Sequence, residues 1–351
     1  MAWAACAANP PSPARGPISH TDAPLPLPSA APSVPKLPTL TAHEATIAKE
    51  LEVYVADLTK LGPRNVDAAL SYADATDWLV STLEAMGFAA ERQGFAFGNE
   101  VVQNIVVHSP GLRLGWERVV VGARMDSANG SVGADDNASG VAALLCLAKQ
   151  FYGKRTQRSI DWVWFADAAG RKDPAGQGSK RFLEVAQKES LSLSAMVELY
   201  GLGVYSDTAG TQRYADELPG VGTSGDFVGL VSYPQHSTTT DTFRSAFEPV
   251  LSMPLQRFTA LSGASPVPLT LHGDFLAKGI PALLIYDTNG LRDPVFGTSG
   301  DVATHLDYER MARVVNAVES GVVALAGGFG SAPMGSSAPL DSAAPEQGQV
   351  N

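Results

Sequence analysis

Acidic side chains are concentrated after one apolar run of the sequence. The run RVVVGAR at 118–124 is followed by Asp126, and a Gly/Ser loop then leads to Asp135 and Asp136 in GADDNASG. At the start of a helix, backbone N–H groups and the helix dipole favour negatively charged groups. These carboxylates are therefore candidate functional groups, although capping of the following helix by Asp136 or Asn137 would also explain the motif.

Histidine and cysteine offer fewer candidates. His236 follows an apolar run and could act as a base, but a histidine in a surface loop is the simpler interpretation. His272, close to Asp274, could line a pocket or could serve only in packing or a hydrogen bond. Cys146 lies within the apolar stretch ALLCLA, which is typical of a buried, unreactive thiol. The sequence has no G-x-S-x-G motif and no Gly-rich phosphate loop, so serine hydrolase and nucleotide-binding chemistry lack support.

Helical and strand patterns alternate through most of the chain. They predict strands at 101–108, 118–124, 160–166, 194–200, 227–233 and 282–287, and helices at 43–61, 67–86, 138–151, 179–186 and 307–325. This alternation predicts an α/β protein, a three-layer α/β/α sandwich with a mostly parallel central sheet. Ligands of such sheets bind beyond the carboxyl ends of the strands, which is where Asp126 and Asp136 are expected.

The composition narrows the classes of function. The 351 residues include 25 basic and 36 acidic side chains, a net charge of −11, which argues against nucleic-acid binding. Hydrophobic residues make up 45% of the chain, enough for a large core, so a wholly disordered protein is excluded. Two cysteines, Cys6 and Cys146, cannot form a disulfide framework. The sequence also lacks the run of about 18 apolar residues that predicts a transmembrane helix.

Both ends of the chain differ in composition from the middle. Residues 1–42 and 327–351 are rich in Pro, Ala, Ser and Gly, so we predict a disordered tether and a disordered tail around a folded domain at 43–326. The first six residues, MAWAAC, resemble the end of a bacterial lipoprotein signal, with an Ala-rich disordered start as the alternative. The expected location is therefore outside the cytoplasm, in the cell envelope or secreted.

Several segments together resemble the zinc-dependent exopeptidases, the family of bacterial leucyl aminopeptidases, glutamate carboxypeptidase-like proteins and glutaminyl cyclases. VVVGARMDS followed by GADDNASGVAALLCLAK resembles the central signature of that family. Further segments match it in the same order: DWVWFADAAG, GSKRFLE, AMVELYG, LHGDFLAKGIPALLIYD and FGTSGDVATHLDYERMARVVNAV. The resemblance covers about 43–326 and implies the same fold.

The resemblance also implies a metal site, most of which is missing from this sequence. The family binds its metal ions through a His, a bridging Asp, a Glu, an Asp and a second His, and a further Glu is the general base. The matching positions here are Arg124, Asp136, Ala169, Glu198 and Gly297, with Ala168 at the position of the base. Asp126, which would orient the lost first His, and His272 remain, whereas Leu271 replaces a supporting Asp.

The two remaining carboxylates would hold zinc weakly, so no cofactor is expected. We expect Arg124 to contact Asp136 and Glu198 and to neutralise the charges that the missing metal ions would leave. The favoured interpretation is an inactive pseudopeptidase with a binding or scaffolding role, for a peptide, an amino acid or a protein partner. One alternative is an active aminopeptidase or cyclase with a rebuilt single-zinc site that recruits His272 or His236. The other is metal-free chemistry in which Arg124 binds a substrate carboxylate.

Overall fold

A mixed eight-stranded sheet forms the centre of the protein. The computed structural model describes residues 36–97, 100–166, 177–213, 222–259 and 270–330, so most of the predicted tether and tail lies outside the described residues. In chain order the strands are β1 Glu91–Phe97, β2 Glu100–Ser109, β3 Leu114–Arg124, β4 Arg158–Phe165, β5 Ser192–Leu199, β6 Ser206–Ala209, β7 Ser224–Gly225, β8 Val228–Ser232, β9 Leu255–Thr259 and β10 Ala282–Tyr286. The sheet has the order β1-β2-β4-β3-β5-β10-β8-β9, and β6 pairs with β7 separately.

Parallel pairing dominates the middle of this sheet. The neighbours β4, β3, β5 and β10 are parallel, whereas β1, β2 and β8 join their inner neighbours in antiparallel fashion. In the pairing of β3 with β5, Gly122 lies opposite Glu198 and Ala123 opposite Leu199. The carboxyl ends of these two strands therefore meet at one edge of the sheet, where Arg124 ends β3.

Helices cover both faces of the sheet. They are α1 Ala42–Lys60, α2 Ala69–Ala85, α3 Ser139–Phe151, α4 Gln177–Lys188, α5 Ser237–Phe247, α6 Leu271–Ala277 and α7 Tyr308–Leu325. Helices α1, α2, α3, α5 and α7 share one core with the sheet, and α4 and α6 pack on its other face. The predicted three-layer α/β/α fold is thus confirmed. Because helices lie on both sides, Val119, Val120 and Val121 of β3 are all fully buried.

Local capping signals set the helix boundaries. The Thr41 hydroxyl accepts a hydrogen bond from the Glu44 N–H (3.1 Å), and the Glu44 carboxylate accepts one from the Thr41 N–H (2.8 Å), which fixes the start of α1. Helix α2 ends just before Gly87, whose φ of +96° lets the chain leave the helix. The Gly87 N–H still donates to the Glu84 carbonyl (2.9 Å), so this glycine caps the helix. Across the described part of the chain, none of the helices is both long and apolar enough to cross a membrane.

Candidate functional site

An ion pair lies where β3 ends and the turn before α3 begins. The Arg124 guanidinium donates through Nη2 to Oδ1 of Asp136 in a direct contact. Both side chains are largely buried, with 14% of Arg124 and 7% of Asp136 exposed. The sequence comparison placed these two residues at a ligand histidine and at the bridging aspartate of the family. The structure brings them together as cation and anion.

Tyr200, directly after β5, supports the same guanidinium. The Arg124 Nη2 lies 3.3 Å from the Tyr200 hydroxyl, and the guanidinium carbon lies 4.9 Å from the centre of the ring. Burial raises the pKa of the Tyr200 hydroxyl well above its usual value, so this group stays neutral. A neutral phenol and an aromatic face both stabilise a cation, so Tyr200 adds to the hold on Arg124.

Glu198, the second remaining carboxylate, has different partners from those predicted. Its Oε2 accepts hydrogen bonds from the Thr270 hydroxyl (2.7 Å), the His272 N–H (2.9 Å) and the His272 Nδ1 (2.7 Å). Burial by itself raises the pKa of Glu198, but the hydrogen bonds from His272 and Thr270 outweigh it, so the pKa lies below the usual value. The predicted cluster is therefore divided: Arg124 pairs with Asp136, whereas His272 at the start of α6 hydrogen-bonds to Glu198.

The hydrogen-bond network of Glu198 extends through His272 to Tyr233. Since its Nδ1 donates to the Glu198 carboxylate, its Nε2 is free to accept from the Tyr233 hydroxyl at 2.8 Å. Both Glu198 and His272 are fully buried. His236, the other histidine considered, is half-buried at the end of a short 3₁₀ turn, Pro234–His236, that leads into α5. It is thus the residue before a helix rather than a member of an extended loop.

Gly297 marks the position of the lost second histidine. It lies beside Asp136, because a Cβ built on Gly297 would meet the Asp136 Oδ2 at 3.1 Å. Its φ of +67° is a left-handed conformation that side chains other than glycine rarely adopt. A histidine at position 297 would therefore strain the backbone.

The other two predicted pocket residues are buried within the structure. The Asp135 Oδ1 accepts from the Gly203 N–H (2.8 Å). Burial and the nearby Asp287 and Asp301 raise its pKa well above the usual value. Asp301 accepts from the N–H groups of Asp135 (2.6 Å) and Asp136 (3.0 Å), which fixes the turn that presents Asp136. Asp126 is fully buried after β3.

Arg64 is a site residue that the sequence reasoning missed. It is fully buried, and its guanidinium donates to the carbonyls of Met125 (3.1 Å), Val132 and Gly133 (2.8 Å). Burial lowers its pKa to about 10. Arg64 thus clamps both ends of the loop between β3 and Asp136. The signal in the sequence is LGPRN after a helix, but an isolated arginine is by default assigned to the surface.

These donors do not fit a zinc ion. Zinc sites in proteins use three or four ligands, whereas here Asp136 binds a guanidinium, Gly297 has no side chain, and one oxygen of Glu198 accepts three hydrogen bonds. Within the described ranges, no group of three or more His, Cys, Asp or Glu side chains is placed to hold a metal. Ala168 and Ala169, the base and glutamate-ligand positions, lie outside the described residues.

The stability of the protein is expected to fall between pH 5 and pH 7.5, partly because of Asp287. Burial raises the pKa of Asp287 to about 6, from an ordinary value of 3.8. The folded protein therefore binds this proton more tightly than the unfolded chain, so its contribution is complete below about pH 4 and is lost as the pH rises through 6. Urea unfolding at the two pH values measures the fall, which Asp287→Asn should reduce by about 1.4 kcal/mol. Asp241→Asn, at an exposed position of α5, is the surface control, and an unchanged slope in Asp287→Asn would contradict the assignment.

Two sequence matches relate the chain to known proteins. Residues 104–322 match the model of peptidase family M28. The uncharacterized protein YfbL of Escherichia coli (strain K12) is 25% identical over 303 residues, which are 82% of this chain and 90% of that protein.

Solved structures agree on the fold. The LapA aminopeptidase of Legionella pneumophila superposes with a TM-score of 0.59 at 19% identity, over 81% of this chain and 75% of that one. The glutaminyl cyclase of Porphyromonas gingivalis gives a TM-score of 0.59 at 18% identity, over 78% of this chain and 97% of that one. At these identities the similarity concerns the fold, and the chemistry has to be argued from the side chains.

Proposed function

The chain belongs to peptidase family M28, and from this premise we propose that it is an inactive pseudopeptidase with a binding or scaffolding role. One observation carries the proposal: the Arg124 guanidinium contacts Asp136, at the position of the family's bridging metal ligand. A guanidinium stays protonated at all physiological pH values and cannot bind a metal. The positive charge that balances Asp136 therefore comes from a side chain of the protein.

Charge balance explains why an arginine suits this position. A buried carboxylate without a partner costs several kcal/mol, and the family's metal ions would normally supply the compensating charge. Arg124 supplies it permanently and is held in place by Tyr200. A metal ion would have to displace a tethered cation before it could bind Asp136. It would also have to compete with Thr270 and His272, which hydrogen-bond to Glu198.

The residue at the position of the general base adds a second argument. The family's base must remove a proton from water, and the matching residue here is Ala168, which has no group that accepts a proton. Loss of a general base typically slows a reaction by ~10²–10⁴-fold even where a metal is bound. The alanine at the base position and the arginine at a ligand position both support the proposal.

Without catalysis, the site at Arg124 and Glu198 can still bind a ligand. We infer that its ligand is a peptide or an amino acid, with a protein partner as the alternative, because ligands bind α/β sheets at the strand ends that Arg124 and Glu198 occupy. The Pro-rich residues 1–42 and the lipoprotein-like start support a location outside the cytoplasm.

Metal content and peptidase activity, measured on one sample, test the proposal. Protein purified without chelator should contain far less than one zinc ion per chain by mass spectrometry. It should also release no product above the buffer rate from leucyl or alanyl p-nitroanilide, and should not cyclise an N-terminal glutaminyl peptide. An active family member assayed in the same buffers is the positive control. Stoichiometric zinc together with turnover that stops on chelation would instead establish a rebuilt one-metal site on Asp136 and Glu198.

A further inference from the structure

A small pocket beneath α4 lies apart from the Arg124–Asp136 cleft. It has a volume of about 80 Å³, and its polar lining consists of Glu91, Gln93, His108, Arg118, Asp161 and Glu189. Arg118 and Arg124 are both on β3, and the rise of an extended strand separates them by about 20 Å. The pocket is thus at the opposite end of the strand from the proposed pseudopeptidase site and does not depend on it.

A buried carboxylate organises one wall of this pocket. Asp161 is 1% exposed, and it accepts from the His108 Nδ1 (2.8 Å) and, with both oxygens, from the Arg118 Nη1 (3.0 Å). Because the carboxylate can only accept, the His108 Nδ1 holds a proton and its Nε2 remains available on a ring that is 40% exposed. Arg118 balances the charge of Asp161, so the exposed Glu91 and Glu189 leave the pocket negative.

Gln93 supplies an independent indication of a ligand. Its side chain lines the pocket and is 8% exposed, yet its Oε1 has no hydrogen-bond partner among the residues that the structure describes. A buried carbonyl oxygen without a donor is unfavourable, and a ligand with N–H groups would supply that donor. The pocket floor is apolar and includes Val106, Phe182 and Leu191.

We propose that this pocket binds a primary alkylammonium ion, either a free alkylamine or the side chain of a lysine. The ammonium group has three donors, which match the Gln93 Oε1 and the carboxylates of Glu91 and Glu189. The alkyl chain covers the apolar floor, a contact that a hydrated metal ion would not make. A carboxylate ligand would instead face two glutamates.

The test follows His108 in the full chain by NMR, with ¹³C-labelled histidine and signals assigned through His108→Gln. Addition of n-butylammonium chloride should shift the His108 ring signals saturably, whereas sodium butyrate at the same ionic strength should not. The double variant Glu91→Gln/Glu189→Gln should bind n-butylammonium roughly tenfold more weakly, since each exposed charge contributes modestly. Glu184→Gln, on α4 outside the pocket lining, is the matched control and should keep wild-type affinity.

Nα-acetyl-lysinamide, titrated in parallel, separates the two sources of the amine, and saturable binding of either amine supports the proposal. Three results would overturn it: no saturable shift of His108 with either amine, an equal shift with butyrate, or unchanged amine affinity in the double variant. A shift produced by zinc chloride but not by n-butylammonium would likewise overturn it in favour of a metal site.

Discussion

Replacing Arg124 by alanine is expected to lower the free energy of unfolding by about 3 kcal/mol, because it leaves the Asp136 carboxylate buried without its cation. Tyr200 cannot compensate, since burial keeps its hydroxyl neutral and it supplies no positive charge. The loss should appear as a lower urea midpoint at constant m-value, measured by circular dichroism at pH 7. In this cleft the arginine stabilises the fold where the family uses metal ions.

A double variant separates charge compensation from simple packing. Arg124→Ala combined with Asp136→Asn removes both charges, so it should recover most of the stability that the single change loses. Lys60→Ala is the surface control, because its pair with Asp57 is exposed, and it should cost about 0.5 kcal/mol or less. If the double variant were as unstable as Arg124→Ala, the ion pair would not be the source of the effect.

Arg64→Met should be more damaging still, with an expected loss of about 4 kcal/mol or more. The change leaves the carbonyls of Met125, Val132 and Gly133 without their donors, and each unsatisfied buried acceptor costs about 1–3 kcal/mol. It also removes a positive charge near Asp126 and Asp136. The unfolding midpoint and hydrogen exchange of the amides at 125–133 measure the effect, which should be concentrated in that loop.

The shape of the side chain at position 64 provides the control. Arg64→Lys keeps the charge but cannot place donors on three separate carbonyls, so it should recover only part of the loss. Arg92→Ala removes an arginine from an exposed pair with Asp77 and should change stability by less than about 1 kcal/mol. Full recovery in Arg64→Lys would show that charge alone, and not the guanidinium geometry, holds the loop.

Patterns local to a few residues predict most of the central fold. Continuous apolar runs identify β3, β4, β5 and β10, because strands buried on both faces cannot alternate. The sequence reasoning missed both edge strands, β1 and β9, the separate β6–β7 pair and helices α5 and α6. Strand β1 has the sequence ERQGFAF and is half exposed at the sheet edge, and β9 is the other edge, so neither has a strong apolar pattern. Helix α6 has only seven residues, too few for a helical period to stand out.

The site shows the same division between local and distant partners. Arg124 and Asp136 are twelve residues apart in the chain. Their contact was predicted from the family resemblance, which places both at metal-ligand positions. The partner of Glu198 is His272, which is 74 residues away, and only the folded sheet shows that it binds Glu198. Charge alone favoured contacts of Arg124 with both carboxylates. The fold instead places His272 and Thr270 next to Glu198.

The turn at Gly297 opposes a side chain at the position where the family has its second histidine. A histidine introduced there would need a left-handed backbone and would place its Cβ 3.1 Å from the Asp136 oxygen. An engineer who wished to revive hydrolysis would therefore have to reshape the loop before adding any ligand. Under the proposed function, restoring the family's second histidine at this position would therefore require a change of backbone as well as of side chain.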